Sequence, residues 1–170
     1  MILFKIGSGA GAIITALGTK LGSATHCIAT DVNKNACSLS ASTAIHNNVN
    51  LDVVQGDLTS FFKGNSIDMI VFNPPYVVTP SEEVKGNNLL AKSWAGGSNG
   101  REVIDRFLKF LPQCLHQRSF GYILLLKENK PNEILTILKA EKFNCKIINF
   151  RRIRGEDLFI IRYMREPTDH

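Results

Sequence analysis

Asn73-Pro74-Pro75-Tyr76 is the tetrapeptide that carries the most chemistry in this chain. Two prolines fix φ and remove two N–H donors, which leaves the Pro74 carbonyl and the Asn73 side-chain carbonyl as acceptors. Such a pair suits the two hydrogens of a planar NH2 group, an amide or an aryl amine. With both hydrogens held, the nitrogen lone pair turns toward an electrophile such as an activated methyl, while Tyr76 packs over the substrate plane. Positioning is then the main catalytic effect, and the reaction needs no metal. The competing reading is a Pro-Pro turn that merely stops a strand.

Gly7-Ser8-Gly9-Ala10-Gly11 lies between an apolar run and an amphipathic stretch, where missing side chains allow a sharp turn and close approach of a ligand. Asp31 falls at the end of the next strand-like run, placed to accept hydrogen bonds from ribose hydroxyls. Nicotinamide and S-adenosylmethionine enzymes share this unit. Gly7, Gly9 and Ala12 also satisfy a relaxed GxGxxA pattern, so the loop alone leaves the cofactor open. Asp57 ends a third run, where its carboxylate and the Leu58 N–H would meet an adenine edge; the alternative is a turn or helix cap.

Apolar runs of strand length alternate with longer amphipathic stretches, which predicts an α/β fold. The expected strands are 1–6, 25–30, 51–55, 67–72 and 120–126, and the helices 12–21, 35–46, 101–116 and 132–142. Runs such as Ile67–Phe72 are apolar almost throughout, as in parallel strands buried on both faces. Cys145 to Arg151 and Asp157 to Tyr163 read as an antiparallel hairpin. The whole is a doubly wound, mostly parallel seven-stranded sheet closed by that hairpin. Residues 77–100, with five glycines and prolines between them, read as a long loop with no periodicity.

The chain has 170 residues and a net charge of +5, enough for one domain with its own core. Its four cysteines form no CxxC pair, which argues against a zinc knuckle or disulfide framework. The absence of a membrane-length apolar run and of a signal-peptide layout reads as an intracellular protein. Lys142, Lys146, Arg151, Arg152 and Arg154 gather near the hairpin. A solvated face is the plain reading and nucleic-acid contact the alternative.

Taken together, these motifs resemble the HemK/PrmC group of class I S-adenosylmethionine methyltransferases, and within it the eukaryotic release-factor glutamine methyltransferase branch. Besides the glycine loop and Asn73–Tyr76, the likeness runs through Trp94-Ala95-Gly96-Gly97, the stretch Asn99 to Phe107, and Lys127-Glu128-Asn129. The resemblance implies S-adenosyl-L-methionine as cofactor, with Gly7 and Gly9 at its methionine part, Asp31 at the ribose, Asp57 and Leu58 at the adenine, and Asn73 beside it. Asn73, Pro74, Pro75 and Tyr76 would clamp the substrate, with Asn73, Pro74 and Tyr76 in the catalytic role. It further implies methylation of the glutamine amide in a Gly-Gly-Gln motif of a translation termination factor, in the cytoplasm and nucleus. A small zinc-binding activator subunit would add to the third strand, Leu51 to Gln55, whose unpaired edge invites a partner on its own account. Protein lysine and DNA adenine are further substrates attached to the branch.

Two departures stand out. Lys5 occupies a position where the family has an acid, setting like charge near the cationic cofactor unless the side chain turns to solvent. The family also has a segment before the first strand, so residues 1–170 are expected to be the methyltransferase domain without it. A noncatalytic form that only binds the activator is the corresponding alternative.

Overall fold

Each stretch folds as its period dictates. In the computed structural model, residues 1–58, 64, 66–153 and 155–165 are described. Among them the order is β1 (Ile2–Ile6), α1 (Ala12–Leu21), β2 (His26–Asp31), α2 (Lys34–His46), β3 (Leu51–Gln55), β4 (Ile67–Phe72), α3 (Ser81–Lys85), α4 (Glu102–Cys114), β5 (Leu115–Leu126), α5 (Pro131–Ala140), β6 (Phe143–Ile153) and β7 (Glu156–Arg165). The seven strands form one sheet in the order β3-β2-β1-β4-β5-β7-β6, parallel except for β7, which runs antiparallel to both β5 and β6. This is the doubly wound sheet with a closing hairpin that the alternation predicts.

Period-two alternation sends β1 and β4 side chains to two apolar layers. Phe4, Ile6, Ile70 and Phe72 join the larger core with Ile104, Phe107 and Leu111 of α4 and Ile134 of α5. Leu3 and Met69 face the other way, onto Ile14 of α1. Phe72 and Phe107 meet edge to face with ring centres 4.9 Å apart, which fixes α4 against the end of β4. Fully burying a side chain such as Phe107 is worth about 1.5–3 kcal/mol, so this contact is a firm anchor for whatever α4 presents on its other side.

The differences from expectation have local causes. Helix α2 starts one residue early because the Asn33 side chain caps it, accepting from the Asn35 N–H at 3.0 Å. Strand β5 begins at Leu115, paired with Ile67, then bulges through a left-handed Arg118 before Phe120 pairs with Met69; the expected helix therefore stops short of His116. Residues 77–100 are not a structureless loop. Val77 bridges to Ala95, α3 follows, and backbone bonds from Val77 to Trp94 (3.0 Å) and from Gly96 to Val77 (2.8 Å) fold the segment into a strap. Arg154 of the basic cluster lies outside the described residues, and Arg152 is engaged by Asp157 at 2.6 Å.

The β5 bulge sets His116 against Asp68, with Nε2 2.8 Å from the carboxylate and Nδ1 facing the Gln117 carbonyl. Both ring nitrogens then serve as donors, which is the imidazolium. Those bonds, the one to Asp68 foremost, raise the imidazole pKa. Burial pushes the Asp68 carboxyl up, but the Ile2 N–H at 2.6 Å and His116 outweigh it and leave it lowered. The histidine contribution to stability is complete below about pH 6.5 and is lost as pH rises through the raised folded value. The aspartate contribution is lost at the other end, as pH falls through its lowered folded value. Both side chains are more than a third exposed, so screening holds the pair below about 1 kcal/mol. The urea midpoint of the wild type should fall between about pH 6 and about pH 8.5 more than that of His116→Asn; parallel pH profiles would refute the clasp.

Candidate active site

At β1 and β4 the chain order of the sheet reverses, and crevices at such a switch point are where doubly wound sheets bind ligands. Ile6 pairs with Phe72, so the residues that follow, Gly7 and Asn73, leave the sheet side by side. A cavity of about 670 Å³ opens there. Gly7, Gly9, Asp31, Asp57, Leu58, Asn73 and Pro75 all line it, bringing together motifs spread over some seventy residues. Ala36, Phe72 and Val103 give it apolar walls, and the strap contributes Val84, Lys85 and Leu89.

The glycine loop turns through three left-handed residues, Gly7, Gly9 and Gly11. At Gly11 a Cβ would also meet the Ser40 Cα of α2 at 2.8 Å, so the loop and the two helices can close up only with glycine there. Asp31 fixes the loop from the side, accepting the Gly9 N–H at 3.0 Å on one oxygen and the Asn33 N–H at 2.9 Å on the other. A carboxylate has about four acceptor sites, so two remain for a ligand.

A model of the methyltransferase small domain matches residues 3–135. The chain belongs to this methyltransferase family. Human methyltransferase HEMK2 is 36% identical to it over 96% of this chain and 78% of its own length. The eRF1 methyltransferase catalytic subunit mtq2 of Schizosaccharomyces pombe is 31% identical over 79% of this chain and 62% of its own. Among solved structures, Mtq2 in the E. cuniculi Mtq2–Trm112 complex superposes with a TM-score of 0.71 at 27% identity, covering 97% of this chain and 85% of that one.

S-adenosylmethionine is the cofactor of this methyltransferase, and the cavity's chemistry fits it: apolar walls for a flat base, the Asp31 carboxylate for ribose hydroxyls, and a glycine loop for the amino-acid end. Gly7, Gly9, Asp31, Asp57 and Leu58 are the residues that would hold it. One contact differs from expectation. Both Asp57 oxygens face Arg106, at 2.7 and 3.4 Å, so the carboxylate expected at the adenine edge is oriented by a guanidinium at the cavity mouth. With both partners about half exposed, the pair orients more than it stabilises.

The four residues of the Asn-Pro-Pro-Tyr turn separate in space. Asn73 and Pro75 line the methyltransferase cavity, whereas Pro74 is buried and is not among its lining residues. Tyr76 packs against the larger core instead of lining the cavity, and its carbonyl accepts from Asn129 Nδ2 at 2.8 Å.

Sequence reading missed two features here. Glu102, Arg106 and Lys109 recur at helical spacing on α4 opposite its apolar face, and all three line the cavity. That periodicity was available as a signal. Asn129 was marked only within the Lys127-Glu128-Asn129 likeness, with no role attached: it is fully buried, its Oδ1 accepts the Leu126 N–H at 2.7 Å, and its Nδ2 also faces the Asn99 and Gly100 carbonyls at 3.0 and 3.3 Å. One amide thus ties the end of β5 to Tyr76 and to the loop before α4. Gly100, at φ +65°, passes so close that a Cβ would run into the Tyr76 carbonyl and the Asn129 amide.

Lys5 does not turn to solvent. It is 3% exposed and lies beneath the glycine loop, with Nζ donating to the Ile6 and Gly7 carbonyls at 2.6 Å each, and it is not among the residues lining the cavity. The like-charge objection is therefore softened by two carbonyl dipoles.

Proposed function

We propose that this methyltransferase modifies the side-chain amide nitrogen of a glutamine in the Gly-Gly-Gln motif of a translation termination factor, working with a small activator subunit. The observation that carries the reading is Asn73 at the lip of the cavity, one strand over from the glycine loop. S-adenosylmethionine supplies an electrophilic methyl group when bound. The Asn73 side-chain oxygen and a carbonyl of the proline turn accept the two amide hydrogens, which orients the nitrogen and selects a planar NH2 over a lysine ammonium with three donors. The nitrogen would gain the methyl as the donor's S–CH3 bond gives way to a neutral thioether, and would release one proton to water. Exposed Leu89, Leu90 and Trp94 on the strap beside the cavity supply apolar surface for a protein substrate. The names of the relatives support this reading: mtq2 is an eRF1 methyltransferase subunit, and a Methanocaldococcus jannaschii relative, 33% identical, is a putative protein N5-glutamine methyltransferase.

Edge strand β3 is the expected seat of the activator, as the Mtq2–Trm112 pairing of the structural neighbour encourages. Its Val54 is 38% exposed and Asp52 is tied to His26 at 3.0 Å, leaving an apolar strip along an open edge. Reconstitution with a Trm112-type protein and a termination factor, read by mass spectrometry, should show one added methyl on the Gly-Gly-Gln glutamine. No transfer by the complex would sink the reading. Val54→Lys should weaken capture of the activator by about tenfold with folding unchanged, the cost of one misplaced charge in a small interface; undiminished capture would move the interface elsewhere.

A further inference from the structure

Lys5 departs from the family pattern, and its surroundings give the departure a use. Strand β1 is central in the sheet, so alternation puts Lys5 on the face of Leu3, where Ala29 of β2 and Val71 of β4 stand beside it in register. Neither neighbour carries charge. Helix α1, which covers that face, brings no ionisable side chain except Lys20 in its last turn. Asp31 at the end of β2 is the charged group that acts on Lys5. Cys37 of α2 reaches the Asp31 carbonyl at 3.5 Å, with its own thiol pushed up first by burial.

A lysine in such a place has a restricted set of partners, and here they are the carbonyls of Ile6 and Gly7. Both belong to the turn by which β1 becomes the glycine loop, so the amine ties that turn down from beneath while Gly7 and Gly9 line the cavity above. A neutral amine still has two N–H groups, as many as the carbonyls it serves. The hydrogen bonds therefore survive loss of the proton, and only the charge disappears. Burial, partly offset by Asp31, brings the pKa down to about 8, within reach of that loss.

We propose that Lys5 is a positioning residue that pins the glycine loop from below, and that loading the cationic methyl donor above it drives this lysine to release its proton. The donor's sulfonium and ammonium outweigh its carboxylate, so the bound state adds net positive charge close to a buried cation that water cannot screen. Releasing the proton relieves the repulsion without undoing the loop. Cofactor affinity then rises with pH. The inference rests on the cavity being the cofactor site, which binding itself tests separately.

Calorimetric titration of S-adenosylmethionine into the wild-type chain and into Lys5→Met, at pH 7 and pH 9, separates the contributions. A tenfold fall in the lysine's proton affinity on binding corresponds to an affinity gain of about fivefold across that range. The variant should lack this gain, keeping only the ligand's own titration, and should bind about tenfold more weakly than wild type at pH 9, where only the loop pin distinguishes the two. Equal pH slopes, or equal affinity at pH 9, would overturn the proposal. Because a methionine substitution can disturb the strand, the wild type is also read directly by NMR titration of the Lys5 Cε. The transition should lie near pH 8 in the free protein and move lower with S-adenosylmethionine. A transition at the ordinary lysine position, or one that cofactor leaves in place, would equally overturn it. Absence of any calorimetric binding would instead strike at the cofactor site itself, while the free-protein titration would still report on the buried amine.

Discussion

Asn73→Ala is expected to lower the turnover number by about a hundred- to a thousandfold, with affinity for S-adenosylmethionine changed by no more than about threefold. Asn73 leaves β4 beside the glycine loop, and its removal withdraws an acceptor from the substrate amide while the glycine loop and Asp31 stay in place. A freely rotating amide seldom presents its nitrogen lone pair to the methyl, because that lone pair is delocalised into the carbonyl and is a poor nucleophile. Orientation supplies much of the rate, and losing one positioned polar contact costs about 3–4 kcal/mol of barrier. Asn73→Asp keeps the side-chain acceptor in nearly the same volume and should retain a larger part of the rate than the alanine variant. Single-turnover transfer from labelled donor gives the rate, and calorimetry gives the affinity. A large loss of cofactor affinity with unchanged turnover would mean that Asn73 serves the cofactor and not the substrate.

What could be read from the chain was local. The glycine loop and the proline turn each follow a strand directly and Asp31 is the last residue of one, so recognising the strand also located the motif, and the switch point then brought them together. What escaped depends on residues far apart in sequence. Arg106 reaches Asp57 across forty-nine positions, because α4 lies over the end of β4 by its Phe107 contact, and no spacing rule encodes that. The strap from 77 to 100 looked irregular because its hydrogen bonds run between Val77 and residues near 95, with only short helical turns between. Lys5 is the instructive case. Its charge left two places open, beside the cofactor or out in solvent, whereas period-two alternation in a strand buried on both faces put it in neither but inside, where loop carbonyls satisfy its donors.

Asn129 carries the other large effect, on stability as much as on rate. Asn129→Ala leaves the buried Leu126 N–H and Gly100 carbonyl, and the partly buried carbonyls of Tyr76 and Asn99, without their shared partner, a side chain that is itself fully buried. An orphaned buried polar group costs about 1–3 kcal/mol, and partial relaxation keeps the sum from adding fully, so a loss of roughly 2–4 kcal/mol is expected. Asn129→Asp should be worse near neutral pH, because it turns a donor toward three carbonyls into a carboxylate. Folding would then favour the protonated acid, raising its pKa above the unfolded value, so the variant should regain stability as pH falls and lose it as pH rises. Urea denaturation at about pH 5 and about pH 8 reads this directly, the wild type serving as the baseline. Turnover of the alanine variant should also fall, since the Tyr76 carbonyl that Asn129 holds follows Asn73 by three residues on a turn whose two prolines transmit displacement stiffly. A variant within about 0.5 kcal/mol of wild type and with unchanged turnover would show that the strap and the turn hold their places without this amide.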